Sequence, residues 1–250
     1  MGINMNIYYL YNSGFTVEAG GDALVFDYWR RGLAKPWNMP LPKNPGEYHR
    51  VLVFASHAHG DHYNRAIFDW LSERRDIAYI LSEDIRQAAP ATLCGNGGLG
   101  YTVDFISPGG SLSIGGLEIK AYGSTDAGVS FHVVAESGES LFHAGDFNFW
   151  HWRDESSDAE VAAADLSFSY ELEKMRLGIP KIDVAFFPVD PRMGGDYYRG
   201  AVRFCEALRP SILIPMHFSN RFEPPVEFFE EIAAYTRVVG VGPSPGKAEI

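Results

Sequence analysis

A mixed α/β fold built around one large site is predicted by three features of the chain. Short runs of apolar, β-branched and aromatic residues recur along its length, which is the signature of buried strands. Nearly every run is followed within a few residues by an ionisable side chain able to bind a metal. Between the runs lie a few segments with apolar residues at helical spacing.

Ala23 to Phe26, Val51 to Phe54, Leu117 to Tyr122, Leu141 to Phe142, Val184 to Phe187 and Ile212 to Ile214 read as buried strands. In the same order they lead into Asp27, a histidine cluster starting at His57, Asp126, Asp146, Asp190 and His217. Sites in α/β sheets gather at the carboxyl ends of strands, because the loops there can aim several side chains into one crevice. Six coincidences of this kind point to one such crevice. Met1 to Leu10, Tyr101 to Ile106 and Phe131 to Ala135 add strands, the last entering a hairpin through Ser137-Gly138.

Helices are fewer. Ala66 to Arg75 places Ile67, Trp70 and Leu71 on one face. Tyr197 to Leu208 does the same with Ala201, Phe204, Cys205 and Leu208, and Pro210 stops it. A third starts at Pro225, a favoured first position, and buries Val226, Phe229, Ile232 and Ala233. Asp158 to Leu177 also reads as a helix.

Composition narrows the class. Of 250 residues, 46% are hydrophobic, enough for a sizeable core, and 26 glycines with 15 prolines imply many tight turns rather than a helical bundle. No linker or repeat divides the chain, so a single domain over residues 1–250 is expected. A net charge of −11 repels phosphate backbones, and the basic stretches at Arg30, Arg31 and Lys35 and at Arg74 with Arg75 are short. No nucleic-acid partner is expected.

Cys94 and Cys205 form neither a CxxC pair nor a disulfide framework. The glycine-rich stretch Cys94 to Gly100 lacks the strand-to-helix context of a phosphate cradle and reads as a loop. The N-terminus has no basic segment followed by a long apolar run, and no stretch is long enough to span a membrane. The expectation is a soluble, reduced, cytoplasmic protein with a small-molecule substrate; its oligomeric state is not legible.

The strongest signal is Ser56-His57-Ala58-His59-Gly60-Asp61-His62, directly after the strand Val51 to Phe54. Imidazole nitrogen and carboxylate oxygen are good zinc ligands. On a tight loop after a strand, His57 and His59 can face one metal while Asp61 and His62 turn to a second. The bland alternative is a polar loop that binds metal only adventitiously.

HAHGDH resembles the HxHxDH signature of the metallo-β-lactamase superfamily, and further pieces of that pattern follow over nearly the whole chain. Asp27 ends the strand LVFD as the family's first motif Asp does, Asp146 in HAGD resembles the carboxylate that bridges two metals, and His217 in PMHF resembles the last His ligand. The resemblance implies an αββα sandwich, two mixed β-sheets flanked by helices. It also implies a hydrolase with two divalent metal ions, zinc first, with manganese or iron as alternatives.

One departure stands out. The family usually supplies a third His to the first metal from the loop before the bridging Asp, but residues 122–131 contain none. Either Asp126 fills the place, since a carboxylate is an acceptable ligand for zinc and a better one for iron or manganese, or it merely caps a turn before Gly128. His132 is a substitute only if it does not face outward from its strand.

A second tier surrounds the centre. His143 is either a buried histidine that orients a ligand or a substrate contact. Phe147 to Trp152, with His151 and Trp152, forms either a pocket wall or an aromatic plug. Asp190 and Arg192 stand at another strand end, where Arg192 either holds an anionic group or pairs within its loop. The mechanism expected is metal-assisted hydrolysis of a small ester, lactone or phosphodiester, with Asp61 orienting the attacking water and relaying its proton. An iron-dependent oxidoreductase and a degenerate-site binding protein are the rivals.

Overall fold

The computed structural model describes residues 4–29, 39–89, 101–218, 224–242, 245–248 and 250. The stretch with Arg30, Arg31 and Lys35 and the loop from Cys94 to Gly100 lie outside them. One sheet contains β1 (Met5–Tyr11), β2 (Gly14–Ala19), β3 (Asp22–Phe26), β4 (Val51–Ala55), β5 (Ala78–Ser82), β6 (Thr102–Ile106) and β14 (Gly246–Ala248). The other contains β7 (Ser111–Ile114), β8 (Leu117–Gly123), β9 (Val129–Val134), β10 (Ser140–His143), β11 (Val184–Pro188), β12 (Ile212–Met216) and β13 (Arg237–Val238).

Both sheets are mixed, and they mirror one another. The first runs β14-β1-β2-β3-β4-β5-β6, antiparallel as far as β3 and parallel from β3 to β6. The second runs β13-β12-β11-β10-β9-β8-β7, parallel from β13 to β10 and antiparallel beyond. The parallel strands β3, β4, β11 and β12 are buried along their whole length, which is why they read as continuous apolar runs.

Aromatic contacts hold the sheets face to face. Phe54, stacked on Phe26 within the first sheet (4.6 Å), meets the edge of Phe131 in the second (5.2 Å), and Phe15 reaches Phe186 across the layer at 4.4 Å. On the far side of the second sheet, Phe204 of α2 (Arg199–Leu208) packs against Phe142 and Phe187. Helix α1 (Asp158–Gly178) begins with a capping box made by Ser157 and Glu160 and buries Phe168, Leu172 and Met175, one stripe at i, i+4 and i+7. None of the described helices is long and apolar enough to cross a membrane.

The layers are those of an αββα sandwich, with one difference. Over the first sheet, the segment expected as an α-helix from Ala66 to Arg75 is a 3-10 helix, Arg65–Ser72, with Ile67, Phe68 and Trp70 buried and Leu71 only partly so. Ile67 and Trp70 stand three residues apart, as a three-residue turn needs to aim both at the sheet. The Tyr79 hydroxyl, donating to the Ile67 carbonyl at 2.9 Å, ties this turn to β5.

Helix α3 (Val226–Ile232) also differs. Pro225 is its cap, and it buries Phe228 and Ile232, while Val226, Phe229 and Ala233 are exposed. Positions 228 and 229 both fit helical spacing to Ile232; the Tyr198 ring, 5.7 Å from Phe228, selects the former. Strand β2 escapes apolar patterning because it carries Glu18. That carboxylate stays charged inside because the Tyr48 hydroxyl (2.7 Å), Asn6 and Lys43 surround it.

Phe186, in the middle of β11, packs across the layer against Phe15 and Phe26 and lies against the His143 ring. Truncating it in Phe186→Ala is expected to cost about 3–5 kcal/mol in urea unfolding. A loss under about 1 kcal/mol would show that the space between the sheets collapses around the cavity.

Candidate metal centre

Six strand ends converge on one crevice. Asp27 follows β3, the His57–His62 loop follows β4, Asp126 lies in the turn after β8, and Asp146, Asp190 and His217 follow β10, β11 and β12. Asp27 and His217 have left-handed backbones, φ 42° and 62°, strain of the kind that persists where surrounding structure over-determines a side chain. The histidine loop turns tightly, with the His62 and Tyr63 amides both donating to the His59 carbonyl, and the Asp84 carboxylate accepts the Ala58 amide at 2.9 Å. Two glycines allow this loop to sit so deep. A Cβ at Gly128 (φ 65°) would overlap the Ser56 carbonyl and His57 Cβ, and one at Gly145 (φ 54°) would press on Ser56 Cβ at 2.7 Å.

The donor atoms fall into two groups that meet at Asp146. In the first, His57 Nε2 is 3.0 Å from His59 Nδ1 and 3.5 Å from Asp146 Oδ2, and His59 Nδ1 is 3.7 Å from Asp126 Oδ2. In the second, Asp61 Oδ2 is 3.7 Å from both His62 Nε2 and His217 Nε2. Asp146 Oδ1 lies 3.1 Å from His62 Nε2 and 3.4 Å from His217 Nε2. One carboxylate thus turns one oxygen to each group. Asp126, in the turn between β8 and β9, lies within reach of the first group, whereas His132 on β9 is buried beside Ser140 (2.8 Å).

Carboxylates behind the histidines set their tautomers. Asp27, fully buried, accepts from the Ser56 amide and hydroxyl and lies 2.7 Å from His62 Nδ1. Ser56 Oγ in turn lies 3.0 Å from His57 Nδ1. Asp190 Oδ2 is 3.1 Å from His217 Nδ1. In each case the outer nitrogen is engaged, which leaves Nε2 of His57, His62 and His217 facing the crevice.

One of these groups, Asp190, and three others, Arg192, His143 and His151, correct expectations about substrate contact. Asp190 is buried behind His217, and Arg192 pairs with it, both oxygens lying 2.9 Å from Arg192 Nε, so this pair belongs to the frame. His143 is buried with Nε2 on the Ser13 carbonyl (2.8 Å) and Nδ1 accepting from the Gly145 amide; it has no free edge. His151 is likewise buried between the Asp196 carbonyl and the Arg153 amide. Trp152, half-buried, stays at the rim. Beside it Trp150, which sequence patterning did not single out, stacks on Trp152, donates from Nε1 to the Asp146 carbonyl and meets the edge of His217 at 5.7 Å.

The β1–β2 turn supplies further support that no motif announced. Asn12 Nδ2 donates to Asp61 Oδ2 (3.1 Å), its carbonyl accepts the His217 amide, and the Ser13 carbonyl holds His143. The only sequence signal is Asn12-Ser13-Gly14, an ordinary hairpin turn.

The electrostatics is that of a crowded polar pocket. Burial alone would push the His217 imidazole down, yet Asp146, Asp190 and Asp61 lift it to about 9. His62 also rises, as Asp146 and Asp27 overcome burial. Burial would raise Asp146, but His62 and His217 hold it well below the usual carboxylate range. Two buried atoms of this cluster, His62 Nε2 and Asp146 Oδ1, make no hydrogen bond although they lie 3.1 Å apart. Buried polar atoms are almost always paired, so an orphaned imidazole nitrogen beside an orphaned carboxylate oxygen calls for a cation. Four imidazoles and three carboxylates with this spacing fit divalent metal ions.

Residues 6–217 match the beta-lactamase superfamily domain. The chain belongs to the metallo-β-lactamase superfamily. Within it, the chain is 29% identical over 234 residues to a UPF0173 metal-dependent hydrolase of Opitutus terrae, covering 86% of each chain. Among solved structures it is similar to a metallo hydrolase of the archaeon Ignicoccus hospitalis, with a TM-score of 0.64, 20% identity, and coverage of 99% of this chain and 100% of that one. It also overlays a diiron β-hydroxylase, CmlA of Streptomyces venezuelae, with a TM-score of 0.61 and 12% identity over 100% of this chain and 55% of that one. The superfamily fold accounts for the two mixed sheets and for the placement of the site at their strand ends.

Removing a buttress should weaken metal binding without unfolding the protein. Asp190→Asn is expected to lower the affinity for zinc by 10–100-fold in competition with a chromophoric chelator. An unchanged affinity would show that Asp190 serves the Arg192 loop alone.

Proposed function

We propose that this chain is a dinuclear metallo-hydrolase that cleaves a small cytoplasmic ester, lactone or phosphodiester. That it is a metal-dependent hydrolase of the metallo-β-lactamase superfamily follows from the family match together with the hydrolase relatives. The observation that carries the finer reading is the position of Asp146, one oxygen turned to each of two donor groups, with its Oδ1 and His62 Nε2 left unpaired in a buried site. His57, His59, Asp126 and Asp146 would hold one ion, and Asp61, His62, His217 and Asp146 the other. When bound, two such ions, with zinc as the first choice, lower the pKa of a water and stabilise charge developing on the group under attack.

The protein's own residues do the rest. Asp61 is part-exposed at the mouth of the crevice, held by Asn12 and flanked by His62 and His217. It is the carboxylate best placed to orient an attacking water and pass on its proton. His217 beside it holds it well below the usual carboxylate range, so it stays ionised at neutral pH, where it can accept a hydrogen bond from the water without retaining its proton. Trp150 and Trp152 line the rim next to His217 and would shield a bound substrate from bulk water.

A second reading, an iron-dependent oxidoreductase on the same fold, draws support from Asp126. A carboxylate where the family usually has an imidazole suits iron better than zinc. Metal content decides between them. The purified protein, loaded separately with zinc, manganese or iron and dialysed, is expected to retain close to two ions per chain and to hydrolyse members of a panel of aryl esters, lactones and bis-aryl phosphodiesters. His59→Ala and Asp146→Ala should each reduce that turnover by at least 100-fold. Near-wild-type turnover in either variant would remove the residue from the centre, and a coloured iron form without hydrolysis would favour the oxidoreductase.

A further inference from the structure

The two halves of the centre offer the same donor chemistry and very different support. Each presents two imidazole nitrogens, one carboxylate of its own and one oxygen of Asp146. With donor types equal, hardness cannot rank the two halves; the state of the donors before the ion arrives must.

The second half is built in advance. His62 is buried and locked through Nδ1 by Asp27, His217 is buried and locked through Nδ1 by Asp190, and Asp61 is held by Asn12. Each ligand is therefore backed by a group outside the cluster, two of them by buried carboxylates. The first half has one comparable ligand, His57, backed only by the Ser56 hydroxyl. The other two, His59 and Asp126, have side chains 57% and 49% exposed. Among the described residues neither side chain has a hydrogen bond outside the cluster. Both must give up rotamer freedom and hydration when they bind, whereas His62 and His217 have already done so.

We infer that the centre fills in order and empties in reverse: the His62–His217–Asp61 half retains its ion, and the His57–His59–Asp126 half exchanges its ion with the surroundings. This rests on the dinuclear reading above and makes the free divalent metal concentration a control on the site, which becomes mononuclear when metal is scarce. An outer-shell partner commonly alters metal affinity by 10–100-fold, and the two halves differ by two carboxylate buttresses. The dissociation constants should therefore differ by at least tenfold.

The test is zinc content of the full chain by elemental analysis across a graded series of chelator concentrations, with the melting temperature followed in parallel. Loss in two steps, one ion per chain in each and at least tenfold apart, is expected. Asp126→Ala should abolish the weaker step and leave the stronger one in place, while Asp126→His should move the weaker step toward the stronger. Asp190→Asn should move the stronger step toward the weaker. A single step of two ions, or an Asp126→Ala protein that loses the tight ion first, would overturn the inference while leaving the dinuclear reading intact. Failure of the loaded wild-type protein to retain any ion would overturn both.

Discussion

Asp27 has no exposure to solvent, yet its carboxylate stays charged because three donors hold it: the Ser56 amide, the Ser56 hydroxyl and His62 Nδ1. A buried carboxylate left without such partners would take up a proton or destabilise the fold. Here burial works against ionisation, and His143 and His62 more than offset it, so Asp27 lies below its ordinary range. The consequence is structural first. The carboxylate pins the end of β3 to the first residue after β4, and through Ser56 and His62 it sets which nitrogen of His57 and His62 faces the crevice. The remaining donors are arranged around these two rings.

The same logic repeats at the other sheet. Asp190 stands behind His217 as Asp27 stands behind His62, and Arg192 completes it as Ser56 completes Asp27. The two sheets, each half antiparallel and half parallel, thus bring matching carboxylate–imidazole pairs to a common edge. Asp146, from the end of β10, stands between them. Its position explains why it can serve two groups while belonging to neither loop. The aromatic layer of Phe15, Phe26, Phe54 and Phe186 underneath has a functional meaning as well as a packing one. It keeps water from reaching the backs of these pairs, where a competing hydrogen bond would weaken them.

Support is distributed unevenly across this frame. Where a ligand meets a buried carboxylate behind its ring, as with His62 and His217, it is held before any ion arrives. Where it comes from the outer part of a loop, as with His59 and Asp126, it is not. The crevice therefore has a rigid floor and a looser lip. The exposed side chains of His59 and Asp126 form that lip, while Trp150, stacked on Trp152, stands beside His217 on the held side. A site with this gradient can be selective in what it retains and permissive in what it admits.

Sequence alone determined the strand runs, their order and the ionisable residue after each, because strands buried on both faces must be continuously apolar and loops at their carboxyl ends carry chemistry. It also determined that HAHGDH, Asp146 and His217 are the superfamily's pieces. It did not show which groups stand behind the ligands. Asp190, Arg192, His143 and His151 look like site residues in a linear reading because they lie beside the right strands. Only the packing of the sheets shows that they turn away from the crevice or are spent on one another. Asn12 and Ser13 gave no signal beyond that of an ordinary hairpin turn, which acquires its role from what lies across from it. The same holds for Phe228 against Phe229, where spacing admits both and the Tyr198 ring selects one, and for the 3-10 turn tied to Tyr79. Local pattern encodes what a residue is able to do; the contacts that choose among its options are made between residues far apart in the chain, and they exist only once the chain has folded.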